Sequence, residues 1–283
     1  MWRSDMKKWL LLLSLLVLAC MVLIIRAFEH ASPILLEQRT VHISGSARTY
    51  EYHMYVPQKT QAPLPVILFL HGAGERGNSG IAHTRVGLGA AVAAANGTFP
   101  AIVVFPHCPQ DLWWTDSTME QVAITALMNA LQEFNGDPER IYLTGISMGG
   151  YGAWSLAVQY RGLFAALMPI CGGIETPSSH IGVPSVRTEG DPYEYVAKCV
   201  GKTPTWIFHG ERDPVIPVEE SRKMEKALRD ISGNVQYSEF AREGHQVWDR
   251  VYGDKRVFEW LFAQHRVAQE KDEKENSCRE NHH

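Results

Sequence analysis

Residues 141–149 read Ile-Tyr-Leu-Thr-Gly-Ile-Ser-Met-Gly, an apolar run that leads directly into a Gly-x-Ser-x-Gly motif. The residues that follow, Tyr151 to Tyr160, have the composition of a buried helix. A sharp turn from strand to helix lifts a serine hydroxyl above the end of a sheet, and flanking glycines let neighbouring backbone pass closely. The pattern therefore predicts Ser147 as a nucleophile; a glycine-rich turn that merely contains a serine is the alternative.

Apolar runs alternate with helical patterns on both sides of this motif. Runs typical of buried strands lie at 66–70, 101–105, 164–170, 205–209 and 235–240, and helical patterns lie at 118–134, 218–231 and 254–266. Such alternation predicts a parallel sheet with helices on both faces. Residues 41–45 and 48–56 resemble two edge strands, and the second alternates apolar and polar positions. The predicted fold class is therefore α/β, with a mostly parallel central sheet and antiparallel N-terminal edge strands.

Two further residues complete the pattern of a catalytic triad. Asp213 follows one buried strand, and His245 lies in the loop after the last strand. Serine, then acid, then histidine is the chain order that brings the three to the carboxyl ends of the strands. Glu211 and Asp249 are rival carboxylates, and His209 is the rival base, although its position at a strand end suits a role in shaping the acid loop. A turn aspartate and a structural loop histidine are the non-catalytic alternatives.

An ester or amide carbonyl attacked by serine develops an oxyanion that needs backbone donors. The amide of Met148, at the start of the helix after the nucleophile, is one candidate donor. The second is expected from the loop at 71–77, which reads HGAGERG and whose glycines let amides face inward. We select Ala73, with Gly74 as the second choice; a glycine-rich turn without a catalytic part is the alternative.

Aromatic residues and histidines also lie near the predicted mouth of the site. Trp113 and Trp114 follow another strand end and suit an acyl or aryl pocket, while packing of their loop onto the core is an equal alternative. His71, His107 and His209 lie at strand ends, where histidine is common, so the sequence predicts neither a metal site nor a cofactor.

Bulk composition excludes some classes of function. The chain has 283 residues and a formal net charge of −4, so it lacks the basic field that nucleic acid requires. None of its five cysteines forms a Cys-x-x-Cys pair, which excludes zinc knuckles and thioredoxin-like motifs. Cys171 and Cys199 flank one irregular segment, and a disulfide between them and two unbridged thiols are equally compatible with the sequence.

The N-terminus has the pattern of a membrane signal. Residues 1–8 are net basic, and residues 9–25 contain no charge. A run of 17 residues lies at the border between a secretory signal and a spanning helix. An uncleaved anchor is the preferred interpretation, a cleaved signal peptide comes second, and a lipoprotein signal with an acylated Cys20 comes third. All three place the rest of the chain outside the cytoplasm, anchored to the membrane, periplasmic or secreted.

The sequence divides into four parts. Residues 1–27 form the anchor or signal segment, 28–39 a linker, 40–266 the catalytic domain and 267–283 a charged tail that is expected to be disordered. Within the domain, residues 172–202 are rich in Pro, Ser and Gly and are expected to form an insertion near the mouth of the site.

Four motifs together resemble a known family: LFLHGAGERG, FPHCPQ followed by WW, GISMGGYGAW, and WIFHGERDPVIPVEESRKM followed by EGH. They are similar to a bacterial family in the phospholipase/carboxylesterase and dienelactone-hydrolase-like branch of the α/β-hydrolase fold. Members are often described as predicted peptidases, and related esterases cleave polyhydroxybutyrate or feruloyl esters. The resemblance covers about residues 40–266 and implies Ser147, Asp213 and His245 as the triad, with the loop at 71–73 in the oxyanion hole. Segment 172–202 departs from the short link typical of the group.

Three functions remain open on this basis. The preferred one is a cofactor-independent serine hydrolase that cleaves a small carboxylic ester or short acyl substrate through an acyl-enzyme. A serine peptidase of the same fold is the nearest rival. An inactive hydrolase fold used as a cell-surface binding module is the third, although it would be expected to lack a triad member.

Overall fold

The structure, a computed structural model, describes residues 36–58, 63–77, 80–175 and 190–266. The predicted anchor or signal segment at 1–27 and the charged tail at 267–283 lie outside the described residues, as does the middle of the predicted insertion, 176–189. In the described part of the chain, no helix combines the length and the apolar character that a membrane span requires.

Within the described residues, eight strands form one sheet. They are β1 Leu36–His42, β2 Thr49–Tyr55, β3 Leu64–Leu70, β4 Ile102–Pro106, β5 Gly136–Ile146, β6 Ala166–Ile170, β7 Thr205–Gly210 and β8 Val235–Phe240. Their order across the sheet is β1-β2-β4-β3-β5-β6-β7-β8. Strand β2 is antiparallel to both β1 and β4, whereas the neighbouring strands from β4 to β8 are parallel. The predicted sheet, mostly parallel with an antiparallel N-terminal edge, is confirmed.

Helices surround this sheet. The α-helices of the described residues are α1 Leu88–Ala94, α2 Ser117–Glu133, α3 Met148–Gln159, α4 Pro192–Val200, α5 Glu219–Asp230, α6 Trp248–Gly253 and α7 Lys255–Phe262. Short 3-10 helices lie at Ala73–Glu75 and Ala82–Thr84. Helices α2, α5 and α7 fall where the helical patterns of the sequence predict them.

The core is centred on the middle strands. Every residue of β3 and of β4 is buried. A central parallel strand is covered on both faces, so both sets of its alternating side chains must be apolar. Each fully buried large apolar side chain contributes about 1.5–3 kcal/mol to folding. The loops at the carboxyl ends of β3, β5 and β7 therefore begin from strands that the core holds in place.

Two stretches differ from the sequence-based boundaries. Strand β1 begins at Leu36, inside the stretch expected to be a linker, and helix α4 occupies part of the segment expected to be an irregular insertion. The side chain of Asp191 caps α4 by accepting hydrogen bonds from the Tyr193 and Glu194 amides. Proline at the first position of the helix adds to this start signal. The Asp-Pro pair was therefore the local signal for this helix.

Helices α1 and α6 were not predicted because of their length. They contain only 7 and 6 residues, about two turns, which is too short for a helical period to stand out. Helix α6 begins three residues after His245, so the loop that carries this histidine is held between β8 and α6.

Candidate active site

The nucleophile motif forms a tight elbow between β5 and α3. Ser147 has φ 53° and ψ −117°, a strained conformation that non-glycine residues rarely adopt. A Cβ atom on Gly145 would lie 2.2 Å from the Gly149 carbonyl oxygen, and one on Gly149 would lie 2.0 Å from the Leu70 carbonyl oxygen. The Ser147 amide donates to the Ile170 carbonyl at 2.9 Å and ties the elbow to β6. Neither glycine can be replaced without moving backbone.

Three side chains predicted to form a triad lie in one hydrogen-bonded chain. His245 Nδ1 lies 2.6 Å from Asp213 Oδ2, and His245 Nε2 lies 2.9 Å from Ser147 Oγ. An ionised carboxylate only accepts, so Nδ1 carries the hydrogen of the neutral ring and Nε2 is free to accept the Ser147 hydroxyl hydrogen. The arrangement is that of a base aimed at a nucleophile and oriented by an acid.

The carboxylate of Asp213 is buried and fully hydrogen-bonded. Its Oδ1 accepts from the Val215 and Ile216 amides at 2.8 and 2.9 Å. Its Oδ2 accepts from His245 and lies 3.1 Å from His209 Nε2. Burial alone raises the pKa of Asp213, but the hydrogen bonds from His209, His245 and the Ile216 amide outweigh it and hold that pKa well below its usual range. Asp213 is therefore an anion that orients His245.

The rival residues have other positions. Glu211 is exposed and accepts from the Arg242 amide, and Asp249 is exposed on α6. His209 is completely buried behind Asp213 and contacts Ser221 and the Ile216 carbonyl instead of the nucleophile. Of these candidates, only Asp213 and His245 form the chain that ends at Ser147.

The predicted oxyanion donors belong to two segments next to Ser147. Met148 is the first residue of α3. Amides at the start of a helix have no partner within the helix and lie at the positive end of its dipole. Ala73 begins a 3-10 helix in the loop after β3. A Cβ on Gly72 would lie 3.7 Å from Ser147 Cβ, so this loop passes directly beside the nucleophile. A Cβ on Gly74 would meet nothing within 4 Å, so Gly74 borders open space.

The two predicted substrate-binding tryptophans have different surroundings. Trp114 is 1% exposed, and its Nε1 donates to the His71 carbonyl at 2.8 Å. A side chain so enclosed cannot line an open pocket, so the alternative of packing onto the core describes Trp114. Its indole supports the loop that contains Ala73.

Trp113 remains a candidate for the pocket wall. It is partly buried and packs against Tyr151 on α3 and Ile216 in the acid loop, two segments that also position the triad. The guanidinium of Arg76 lies 4.0 Å from the centre of its ring. Stacking of this kind fixes the ring and places a cation beside an aromatic surface.

Cysteine residues near the site are not bridged. Cys171 Sγ donates to the His245 carbonyl at 3.1 Å, and Cys199 Sγ accepts from Arg161 at 2.8 Å. Since the two sulfurs contact different groups, the disulfide alternative is wrong and the alternative of two unbridged thiols describes the structure.

Sequence reasoning missed two supports of His245. Cys171 contacts its backbone, and the ring of Trp248 meets the imidazole edge-on with centroids 5.5 Å apart. Only the proximity of Trp248 in the chain, three residues after His245, could have indicated the second contact.

One group of metal-type ligands occurs among the described residues. Atoms of Cys171, His209 and Asp213 lie within 4.8 Å of one another. Each of them already makes the hydrogen bonds given above, and burial raises the pKa of the Cys171 thiol to about 12, so the thiol is protonated. These three side chains are therefore better suited to supporting the triad than to binding a metal ion. His71, another strand-end histidine, uses Nδ1 on the Gly72 carbonyl and Nε2 on the Cys108 amide.

Four histidines lie close together near the loop at 71–77: His53, His71, His83 and His107. The ring of His83 lies 5.1 Å from that of His53, 5.6 Å from that of His71 and 4.9 Å from that of His107. Burial lowers the pKa of His71 to about 3 and that of His83 to about 2, with further lowering by neighbouring histidines. The rings of His71 and His83 are therefore neutral at ordinary pH.

Comparison with known proteins places this geometry in a family. The model of the prolyl oligopeptidase family matches residues 111–267, more than half of the chain, and this stretch includes the nucleophile elbow, the acid loop and the histidine loop. The chain belongs to the prolyl oligopeptidase family. Its fold is the α/β-hydrolase fold that the sequence motifs predicted.

Individual relatives agree with this assignment. Esterase LipQ of Mycobacterium tuberculosis is 25% identical over 173 residues, which cover 50% of this chain and 41% of LipQ. The match thus spans less than half the length of that relative. The crystal structure of a thermostable esterase is 32% identical with a TM-score of 0.68, and the alignment covers 82% of this chain and 63% of that one.

A third similarity concerns the fold alone. An S-formylglutathione hydrolase from Staphylococcus aureus superposes with a TM-score of 0.63 at 17% identity, covering 82% of this chain and 100% of that chain. The family match and the thermostable esterase confirm the group of α/β hydrolases that the sequence resembles, and this third structure shows the same fold.

Proposed function

We propose that the protein is a serine hydrolase that cleaves carboxylic esters of small molecules through an acyl-enzyme. The observation that carries this proposal is the continuous chain of hydrogen bonds from Asp213 through His245 to Ser147. The first turn of α3 and the loop at 71–77, which passes beside Ser147, can supply oxyanion donors. The esterases among its relatives support the choice of reaction.

The first half of the reaction forms the acyl-enzyme. His245 Nε2 accepts the hydroxyl hydrogen as Ser147 Oγ attacks the ester carbonyl carbon, and Asp213 stabilises the imidazolium that results. The negative oxygen of the tetrahedral intermediate accepts from the Met148 and Ala73 amides, each of which contributes about 2.7–4 kcal/mol to lowering the barrier. The intermediate then expels the alcohol, which takes the proton from His245.

The second half releases the acid. Water attacks the acyl carbonyl while His245 Nε2 accepts its proton, and the same amides hold the new oxyanion. Collapse of this intermediate returns the proton to Ser147 Oγ and frees the carboxylic acid. These steps require no metal or organic cofactor.

Peptide cleavage is the second candidate, because the family to which the chain belongs takes its name from an oligopeptidase. A peptidase must protonate an amine as it leaves, whereas an ester releases a far better leaving group. Hydrolysis of short p-nitrophenyl esters and of matching aminoacyl and peptidyl anilides decides between the two. We expect the esters to turn over faster, and faster turnover of the anilides would overturn ester hydrolysis as the main activity.

A non-catalytic binding module is the third candidate. Fluorophosphonate labelling tests it, because the reagent reacts only with an activated serine. We expect labelling of the wild-type protein that is absent from Ser147→Ala, and ester hydrolysis that is absent from His245→Ala. A folded wild-type protein that resists the reagent would instead support the binding module.

We also propose that residues 1–27 direct the chain to the membrane and that the catalytic domain acts outside the cytoplasm. The support is the basic start at 1–8 followed by 17 uncharged residues at 9–25. An anchor is preferred over a cleaved signal, with the lipoprotein third. Fractionation with mass spectrometry of the N-terminus tests this order: an intact N-terminal peptide in the soluble fraction would contradict the anchor.

A further inference from the structure

His209 is a buried histidine directly behind the catalytic acid. It lies near the end of β7, four residues before Asp213, and its relative exposure is 0%. Its Nδ1 lies 2.7 Å from Ser221 Oγ on α5. Its Nε2 lies 3.0 Å from the Ile216 carbonyl oxygen and 3.1 Å from Asp213 Oδ2. No part of the proposed reaction described above uses this side chain.

These contacts determine which nitrogen of His209 carries the hydrogen. A carbonyl oxygen can only accept, so Nε2 must be the donor toward Ile216, and this N–H group also lies beside Asp213 Oδ2, with 3.1 Å between the nitrogen and the oxygen. In the neutral ring, Nδ1 is then an acceptor, and the hydroxyl of Ser221 donates to it. His209 therefore places a polarised N–H group beside the carboxylate that orients His245.

The two histidines share one oxygen atom. Asp213 Oδ2 accepts from His245 Nδ1 at 2.6 Å, and His209 Nε2 lies 3.1 Å from the same oxygen. An N–H group draws negative charge toward itself, so a second N–H beside the same oxygen leaves less charge to stabilise the imidazolium of His245. Loss of this donor would leave the carboxylate a stronger partner for His245.

We propose that His209 is a positioning residue that sets the basicity of His245 through the shared Oδ2 atom of Asp213. This inference deepens the proposed hydrolase function and rests on it for its kinetic readout. The inference predicts a change in how readily the His245 ring takes a proton. This change can also be measured without any substrate.

Cys171, Tyr151 and Glu239 are other titratable groups near this centre. Burial raises the pKa of Cys171, after β6, to about 12, and burial also holds the pKa of Tyr151, on α3, above its usual range. Glu239 on β8 is paired with Arg222 on α5 at 2.6 Å, and this hydrogen bond lowers the pKa of Glu239.

The test compares His209→Leu with His209→Gln. Leucine removes the donor, whereas the side-chain amide of glutamine can place an N–H close to the position of Nε2. We expect the acid limb of the kcat/KM profile for a p-nitrophenyl ester to move up by about 0.5–1 pH unit in His209→Leu. In His209→Gln it should stay close to the wild type. His42→Gln, at an exposed histidine of β1, is the control and should leave the profile unchanged.

A titration of the His245 ring by NMR, in the full-length protein without substrate, separates this inference from the proposed function. We expect its midpoint to move in the same direction as the acid limb. A midpoint that moves in a protein that hydrolyses no ester would support the inference and contradict the function. A folded His209→Leu with an unchanged midpoint, or with kcat/KM reduced equally at every pH, would overturn the inference.

If His209→Leu does not fold, Ser221→Ala provides the second test. This change removes the hydroxyl that polarises His209 through Nδ1 and so weakens the Nε2 donor without deleting it. We expect a smaller upward movement of the His245 midpoint. No movement in folded Ser221→Ala would count against the inference.

Discussion

His245 Nδ1 lies 2.6 Å from Asp213 Oδ2, the shortest contact in the chain of hydrogen bonds that leads to Ser147. This contact holds the tautomer in which Nε2 faces the nucleophile as an acceptor. Asp213→Asn should disturb it, because an amide nitrogen can donate to Nδ1 and favour the wrong tautomer. We expect kcat to fall by about 10⁴-fold with the fold preserved, as measured by ester hydrolysis and circular dichroism.

Glu211→Gln is the matched control for this prediction. Glu211 lies two residues earlier and is exposed, and its carboxylate accepts from the Arg242 amide at 2.8 Å. Its neutral analogue should retain activity close to the wild type. If Glu211→Gln were the inactive variant and Asp213→Asn the active one, the assignment of the acid would be wrong.

Gly149→Ala should disrupt the nucleophile elbow. The added methyl group would lie 2.0 Å from the Leu70 carbonyl oxygen and 2.9 Å from that of His71, and neither backbone atom can move without shifting β3. We expect a loss of stability of about 1–3 kcal/mol or more, together with loss of fluorophosphonate labelling. Urea unfolding gives the first quantity. A stable, fully labelled Gly149→Ala would show that the elbow tolerates a side chain.

Gly253→Ala is the corresponding control. A Cβ there would meet nothing within 4 Å, and the residue ends α6 without a left-handed φ. Alanine should therefore leave stability unchanged or raise it slightly, because it reduces the freedom of the unfolded chain. A comparable loss of stability in both variants would remove the steric explanation.

The fold and the triad were predictable because each leaves a local mark on the sequence. Strands β3 and β4 are buried on both faces and so appear as unbroken apolar runs. The elbow requires glycine on both sides of Ser147, and the acid and the base must follow in a fixed order. Local patterns of this kind can be recognised in the sequence without knowledge of any contact between distant segments.

The remaining features depend on contacts between distant segments. Trp113 and Trp114 are neighbours of the same type, and only the packing of their loop decides that one is enclosed and the other is not. The link from Ser221 through His209 to Asp213 joins α5, β7 and the acid loop, and nothing in the order of these residues specifies which nitrogen faces which partner.

The buried histidine cluster should make the protein sensitive to acid. Burial lowers the pKa of His83 from its usual 6.5 to about 2 in the folded protein, so only the unfolded chain takes up this proton as the pH falls below 6.5. The stabilising effect of the neutral ring is fully present above pH 6.5 and is lost progressively toward pH 2. His83→Leu should flatten the decline of the urea midpoint between about pH 7 and pH 4.

A surface histidine gives the comparison for this effect. His265→Leu replaces an exposed ring and should leave the slope of stability against pH unchanged. Equal acid sensitivity in wild type and His83→Leu would show that other groups cause the decline.

Ala73→Pro tests the assignment of the second oxyanion donor. Proline removes the amide hydrogen of residue 73, and it fits the first position of the 3-10 helix because the preceding Gly72 is extended, with φ −78° and ψ 176°. We expect kcat for a p-nitrophenyl ester to fall by about 10²–10³-fold with little change in KM, because the amide acts on the transition state. Ala73→Gly, which keeps the amide, should retain most of the activity. If Ala73→Pro is folded and fully active while Gly74→Pro loses activity, the donor is the Gly74 amide and the assignment of Ala73 is wrong.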